Sequence, residues 1–203
     1  MRIVAGKFRG ARIEAPKGLA TRPTSDRVRQ ALFNVLEHGA PAFDFDGARV
    51  LDLFAGSGAL GLEACSRGAR FCLFVEESAE ARASIRRNVE TLHLTGTTKI
   101  WRRDATKLGR AGTMQSFDLI FLDPPYGRGL GIRALQSAAE GGWIREGAVA
   151  VLEERADAEI AFPAGFEEID TRAYGDTKLI VMRAFPASAQ RKPGGSGPQD
   201  VLE

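Results

Sequence analysis

Asp123-Pro124-Pro125-Tyr126 sets a carboxylate, a rigid carbonyl and an aromatic ring side by side, closing the apolar run from Phe117 to Leu122. Proline fixes φ and lacks an amide hydrogen, so the chain cannot pass straight into a helix here, and the Pro124 carbonyl is left to accept a hydrogen bond from outside. Asp123 is a second acceptor, and Tyr126 offers a flat face for stacking. Two acceptors beside an aromatic ring suit a planar amino group whose hydrogens are pinned while its base is stacked. Chemistry on that nitrogen needs a reagent delivered to it, and a cofactor loop lies upstream.

Asp52-Leu53-Phe54-Ala55-Gly56-Ser57-Gly58-Ala59-Leu60-Gly61 contains GxGxxG between an apolar strand and a helical stretch, with Glu76 twenty residues beyond Gly56. That pattern alone is a fair reading for a nicotinamide dinucleotide. Asp52 argues for S-adenosylmethionine instead: a carboxylate at the strand end repels a pyrophosphate but attracts an ammonium and a sulfonium. On this reading Phe54, Ala55, Gly56, Ser57, Gly58 and Gly61 let the backbone approach the cofactor's amino-acid part, and Glu76 accepts the ribose hydroxyls. Asp104, after the third strand, either meets the adenine amino group or caps a helix. Asp-Pro-Pro-aromatic also resembles the motif with which amino-methyltransferases methylate exocyclic nitrogens of bases or side-chain amides.

The elements that must position these groups alternate. Val50 to Phe54 and Phe71 to Val75 read as buried strands, separated by a helix from Ala59 to Arg67 that Gly68 stops. A helix beginning near Ser78 shows Ala81, Ile85, Val89 and Leu92 on one stripe. Strands follow over 99–101 and 117–122, then a helix over 132–139, a strand over 149–152 and two late strands near 167–171 and 179–183. This predicts a Rossmann-like α/β fold with a seven-stranded, mostly parallel sheet covered by helices on both faces and an antiparallel hairpin at its end. Ahead of it, residues 2–13 alternate around Gly6 and Gly10 as a small hairpin tipped by Lys7-Phe8-Arg9. Thr24 or Ser25 then caps a helix with Val28, Leu32, Val35 and Leu36 inward and Gly39 at its end. The spacing gives three parts: a basic arm over 1–39, the catalytic domain over 40–185, and a Pro/Gly/Ser-rich tail over 186–203 expected to be disordered.

Composition narrows the partners. With 203 residues and 44% hydrophobic content the chain can bury one sizeable core. The net charge is only +2, yet the first thirty residues carry eight Lys/Arg against Glu14 and Asp26, an excess of six positive charges. A basic arm on a mildly acidic body suits a phosphate backbone, with Arg2, Lys7, Phe8, Arg9, Arg12 and Lys17 as contacts; a solvated basic edge and a Phe8 that merely caps the hairpin are the bland alternatives. Cys65 and Cys72 lack metal spacing and sit in apolar stretches as free buried thiols, and His38 and His93 have no partners at useful spacing. No metal site is expected. No secretory or membrane-spanning stretch is visible, so a cytoplasmic protein is expected.

With these parts placed, the chain resembles the bacterial RsmD-like family, through RIVAGKFRG at its start, RPTSDRVRQALFNVL from Arg22, VLDLFAGSGALGLEA from Val50 and FLDPPYG from Phe121. The resemblance spans Arg2 to Arg183. It implies a class I methyltransferase that uses S-adenosylmethionine to methylate the N2 amine of a guanine in small-subunit (16S) ribosomal RNA, within an assembled or assembling subunit. It also implies that Arg22, Thr24 and Arg29 line the methionine end of the cofactor pocket; from the residues alone, the arginines could equally contact phosphates and Thr24 cap a helix. A DNA adenine-N6 methyltransferase uses similar logic but usually has an extra target-reading region. A dinucleotide-dependent oxidoreductase leaves Asp52 and the Asp123 segment unexplained, and a non-catalytic RNA-binding module explains only the arm.

Overall fold

The computed structural model describes residues 1–16 and 26–185. Seven strands form one sheet in the order β3-β2-β1-β4-β5-β7-β6: β1 Arg49–Leu53, β2 Phe71–Val75, β3 Thr98–Trp101, β4 Phe117–Leu122, β5 Ile144–Arg155, β6 Phe166–Tyr174 and β7 Thr177–Ala184. The first five pair in parallel, and β7 pairs antiparallel with both β5 and β6. The expected sheet and terminal hairpin are both found.

Burial on both sides makes the strands apolar throughout, and the two-residue period of a strand divides their side chains between two cores. Val50, Cys72, Phe74, Leu119, Phe121 and Val151 face α1 (Asp26–His38), α2 (Ala59–Ser66) and α3 (Ala79–Thr91). Leu51, Leu53, Leu73, Ile120, Leu122 and Leu152 face α4 (Leu130–Glu140). Ser78 caps α3, its hydroxyl accepting from the Ala81 amide at 3.3 Å, and Ala81, Ile85, Val89 and Leu92 are buried as their spacing predicts.

Two elements differ from expectation. The buried positions of α1 are Arg29, Leu32, Phe33 and Leu36, with Val28 and Val35 only half-buried. The stripe is rotated because Arg29 points inward, where its guanidinium donates to the Arg2 carbonyl and to Asp26 at 2.9 Å and lies 3.9 Å from Glu63. Strand β5 runs from Ile144 to Arg155 rather than over 149–152: Ile144 already pairs with Phe117 of β4, and antiparallel pairing with β7 continues to Thr177, with Glu153 and Glu154 buried. The expected cap at Thr24 or Ser25 and the 186–203 tail lie outside the described residues.

The N-terminal hairpin closes through an Arg2–Arg12 bridge and packs on the body. Ile3 and Ile13 are buried in the same core as Leu62 and Phe74. Glu63, fully buried on α2, accepts from the Val4 and Ala5 amides at 2.7 and 3.0 Å and from Arg67 at 3.0 Å. At the C-terminal end of α2, the Ser66 carbonyl accepts from the Lys7 amide at 2.7 Å and its hydroxyl from the Phe8 amide at 2.9 Å. Phe8 therefore packs on the body as a half-buried cap. Among the described residues no helix is long and apolar enough to cross a membrane, and no group of three His, Cys, Asp or Glu side chains is placed to hold a metal ion.

Glu63→Ala removes the acceptor of two hairpin amides and leaves the Arg29 guanidinium buried beside no carboxylate on α2. Loss of one partner of such a buried cluster costs about 3 kcal/mol. Urea unfolding of Glu63→Ala should show a loss of that size, with Glu63→Gln losing less.

Candidate active site

The sheet reverses its winding between β1 and β4, and helices leave those strands on opposite faces, which opens a crevice above their C-terminal ends. A cavity of about 850 Å³ lies there, within the size range of sites for drug-sized ligands, ~300–1,000 Å³. Its floor comes from the loop after β1, through Phe54 and Gly56. One wall is Glu76, Glu77 and Ser78 after β2 with Asp104 and Thr106 after β3. The opposite wall is Asp123, Pro124, Pro125 and Tyr126 after β4. Of the residues singled out from sequence, this cavity gathers Phe54, Gly56, Glu76, Asp104 and the whole Asp123–Tyr126 segment.

The floor is a strained turn held from two sides. Phe54 has φ +60°, rare for a side chain of its size, and Gly56 and Gly58 follow at +55° and +78°. Glu76 holds the turn from the cavity wall: one carboxylate oxygen accepts from the Gly56 amide at 2.8 Å and the other from the Ser78 amide at 2.8 Å. Each oxygen retains a further lone pair, so Glu76 can still accept from a diol. Asp104 uses one oxygen for the Thr106 amide at 2.8 Å and hydroxyl at 2.7 Å, capping a short 3₁₀ turn over Ala105–Lys107. These bonds, chiefly that from the Thr106 side chain, hold its carboxyl below the usual range. Asp104 thus caps a turn and lines the cavity at once.

Asp52 is not on the cavity wall. The strand period turns it the same way as Val50, toward α2, where it is buried and accepts from the Gly61 amide at 3.0 Å. Burial pushes its carboxyl well above the ordinary carboxylate range, the Gly61 amide opposes this, and Asp123 and Glu76 add to the rise. Gly61 lets α2 press against the sheet: a Cβ there would meet Phe74 Cε1 at 2.4 Å and Cys72 Sγ at 2.5 Å. Ala55, Ser57 and Gly58 shape the turn from behind; the Ala55 amide donates to the Val75 carbonyl at 3.2 Å, and the Ser57 carbonyl accepts from Asn88 at 3.0 Å. Arg29 is buried against Glu63 and the Arg2 carbonyl, away from the cavity lining. Arg22, Thr24 and Lys17 lie outside the described residues. Arg2, Lys7, Arg9 and Arg12 are on the docked hairpin, and none lines the cavity.

Behind the Asp123–Tyr126 segment lies a set of residues that sequence reasoning missed. The Tyr126 hydroxyl donates to Glu153 at 2.6 Å and lies 3.2 Å from the Thr177 hydroxyl. The Gly127 amide donates to Glu154 at 3.2 Å. Burial, and then the bond to Glu153, raise the Tyr126 pKa, so the phenol stays protonated and its ring is held against the cavity wall. The available signal was the Glu153-Glu154 pair ending the apolar run AVAVL, an expensive place for two carboxylates unless they are bonded.

Residues 1–183 match the model of a family described as conserved hypothetical protein 95. The chain is 35% identical over 158 residues to ribosomal RNA small subunit methyltransferase D of Escherichia coli K12, covering 77% of this chain and 76% of that protein. The chain belongs to this RsmD-like family. It is also 43% identical over 128 residues to YlbH of Bacillus subtilis, covering 62% of this chain and 67% of YlbH. The solved structure of YhhF from Escherichia coli superposes with a TM-score of 0.77 at 31% identity, covering 91% of this chain and 98% of that one. The fold is the Rossmann-like class I methyltransferase fold, as the resemblance implied.

Two outcomes follow from the buried groups. Tyr126→Phe and Glu153→Gln should each lower unfolding free energy by about 1–2 kcal/mol, and the double variant by less than their sum, in urea titrations. A carboxyl whose pKa rises on folding stabilises while protonated, fully so below its unfolded value near ~3.9, and that contribution is lost as pH climbs through the raised value. Unfolding midpoints of Asp52→Asn should therefore fall less than those of the unsubstituted protein from acidic through alkaline pH.

Proposed function

We propose that this protein methylates the exocyclic N2 amine of a guanine in small-subunit ribosomal RNA, using S-adenosylmethionine. The observation that carries the reading is the meeting of the Asp123–Tyr126 segment and the Glu76-braced glycine turn in one cavity, in a chain of the RsmD-like family. A relative that is 35% identical over most of both chains is named as a ribosomal RNA small subunit methyltransferase. The residues fit the cofactor: a backbone turn free of side-chain bulk at Gly56, where a Cβ would meet only the Phe54 carbonyl at 3.9 Å, and the Glu76 and Asp104 carboxylates on one wall. Glu76 would accept the ribose hydroxyls, Asp104 the adenine amine through its second oxygen, and the 54–58 turn would carry the amino-acid part. Arg22 and Thr24, just ahead of α1, belong to this reading at the methionine end. Arg29 serves better as the hairpin's anchor.

S-adenosylmethionine, when bound, supplies an electrophilic methyl group. Guanine N2 is a weak nucleophile because its lone pair is delocalised into the ring, and it must become tetrahedral to attack. Asp123 and the Pro124 carbonyl each accept one hydrogen of the amine, which fixes its direction and stabilises the charge that develops on nitrogen. Asp123 can take the proton afterwards. Tyr126, its hydroxyl anchored on Glu153, holds the extruded base by stacking, worth about 1–3 kcal/mol. A chain of 203 residues offers little surface for reading sequence, so the base is presented by an assembled or assembling subunit, in the cytoplasm.

Methyl transfer from labelled cofactor to small subunits lacking the modification, beside bare ribosomal RNA and duplex DNA, tests the reading through nucleoside analysis. N2-methylguanosine in the ribosomal samples alone is expected; label in DNA adenine, or no label, overturns it. Asp123→Ala should lower kcat by about 10²–10³-fold with cofactor affinity retained, the cost of one lost acceptor at a developing charge.

A further inference from the structure

Lys107, next to Thr106 on one wall, and Arg128 and Arg133, which follow the Asp123–Tyr126 segment on the other, line the cavity, and neither the cofactor nor the target base accounts for them. All three are exposed. Arg29, Arg67, Arg87, Arg145, Arg155 and Arg172 each pair with a carboxylate within 4.0 Å. Among the described residues these three form no such pair; the Arg133 guanidinium donates to the Arg128 carbonyl at 3.5 Å. Lys107 and Arg133 act on Asp104 only through their distant charges, the weakest contributions to its lowered pKa. The first turn of α4 carries no acidic residue that could neutralise them.

The backbone presents this cluster at the mouth. Gly127 and Gly129 flank Arg128 with φ of +73° and +61°, a conformation that only glycine adopts without cost. A Cβ at either position would meet nothing within 4 Å, so the turn stands in open space. The cavity is lined by carboxylates at Glu76, Glu77, Asp104 and Asp123, and its cations come from Lys107 and from Arg128 and Arg133 around the start of α4.

S-adenosylmethionine carries a net positive charge, so three unpaired cations work against it; a guanine base is neutral. What remains of the substrate is its phosphodiester backbone, which must come to the mouth with any nucleotide that enters the cavity. We propose that Lys107, Arg128 and Arg133 hold the phosphates flanking the target nucleotide, so that the RNA strand crosses the cavity over the start of α4. The hairpin tip is a poorer candidate: it docks at the far end of α2, eight residues and roughly 12 Å from the glycine turn at ~1.5 Å rise per residue. This inference rests on the reading of RNA as substrate and locates the strand on the protein.

The test is RNA affinity measured against salt, with S-adenosylmethionine affinity measured separately, for Arg128→Ala, the double variant Arg128→Ala/Arg133→Ala, Arg128→Lys, and a hairpin-tip control Lys7→Ala/Arg9→Ala. Each single-strand phosphate contact contributes about 0.7 to the slope of log affinity on log salt. The double variant should lose roughly 1.4 of slope, and about tenfold or more in affinity at moderate salt, with cofactor affinity unchanged. Arg128→Lys should retain the slope. An unchanged slope in the double variant, a parallel loss of cofactor affinity, or an equal loss in the hairpin-tip control overturns the proposal. Because binding is read without methyl transfer, an enzyme that fails to methylate guanine can still show the slope change, and one that methylates guanine can still lack it.

Discussion

At Gly61 the second helix touches the sheet with no room for a methyl group, and that approach sets the geometry of everything above it. Phe74, Cys72 and Asp52 fill the space a side chain would need. With the start of α2 pressed onto β1 and β2, the chain between Leu53 and Ala59 must turn sharply, and the positive φ at Phe54, Gly56 and Gly58 is where that turn is made. The Asp52 carboxyl makes the same contact from the strand side by accepting the Gly61 amide. Packing and a buried hydrogen bond therefore shape a backbone floor that Glu76 then braces from the cavity.

The acidic residues divide by depth into two kinds of work. Asp52, Glu63, Glu153 and Glu154 are buried and organise backbone or a phenol: a helix start, the hairpin, Tyr126 and the turn after it. Glu76, Asp104 and Asp123 line the cavity, where acceptor capacity can reach a ligand. The buried group is costly to desolvate, and each of its members has a donor to offset the cost. The arginines divide likewise: Arg29 and Arg67 pair with the buried Glu63, whereas Arg128 and Arg133 stand exposed at the mouth and pair with no carboxylate among the described residues.

Much of this was legible in the chain because parallel strands buried on both faces leave strong local marks. Phe71–Val75 and Phe117–Leu122 have the bounds their apolar runs suggest, and the stripe of α3 lies where its spacing puts it. The Asp123–Tyr126 segment and Glu76 were legible as residues of one crevice because they follow strand ends, and every parallel strand end in such a fold opens on the same crevice. The length of β5 was not legible: Glu153 and Glu154 look like the close of a strand until pairing with β7 buries them.

By itself the sequence determined the order of elements, the glycine turn, the paired acceptors with their aromatic neighbour, and family membership, since each depends on residues close together along the chain. Tertiary structure decided the roles of charged residues. Asp52, expected to face a cofactor, is turned inward by the strand period, and Arg29 is drawn beneath the hairpin by Glu63, thirty-four positions away. The basic arm was the evident phosphate contact from charge counts; the backbone of its tip docks on Ser66, and the cations that line the cavity come from two separate segments. Charge is a property of a residue, but whether that charge is neutralised depends on what the fold brings within a few ångströms of it, and no local pattern carries that information.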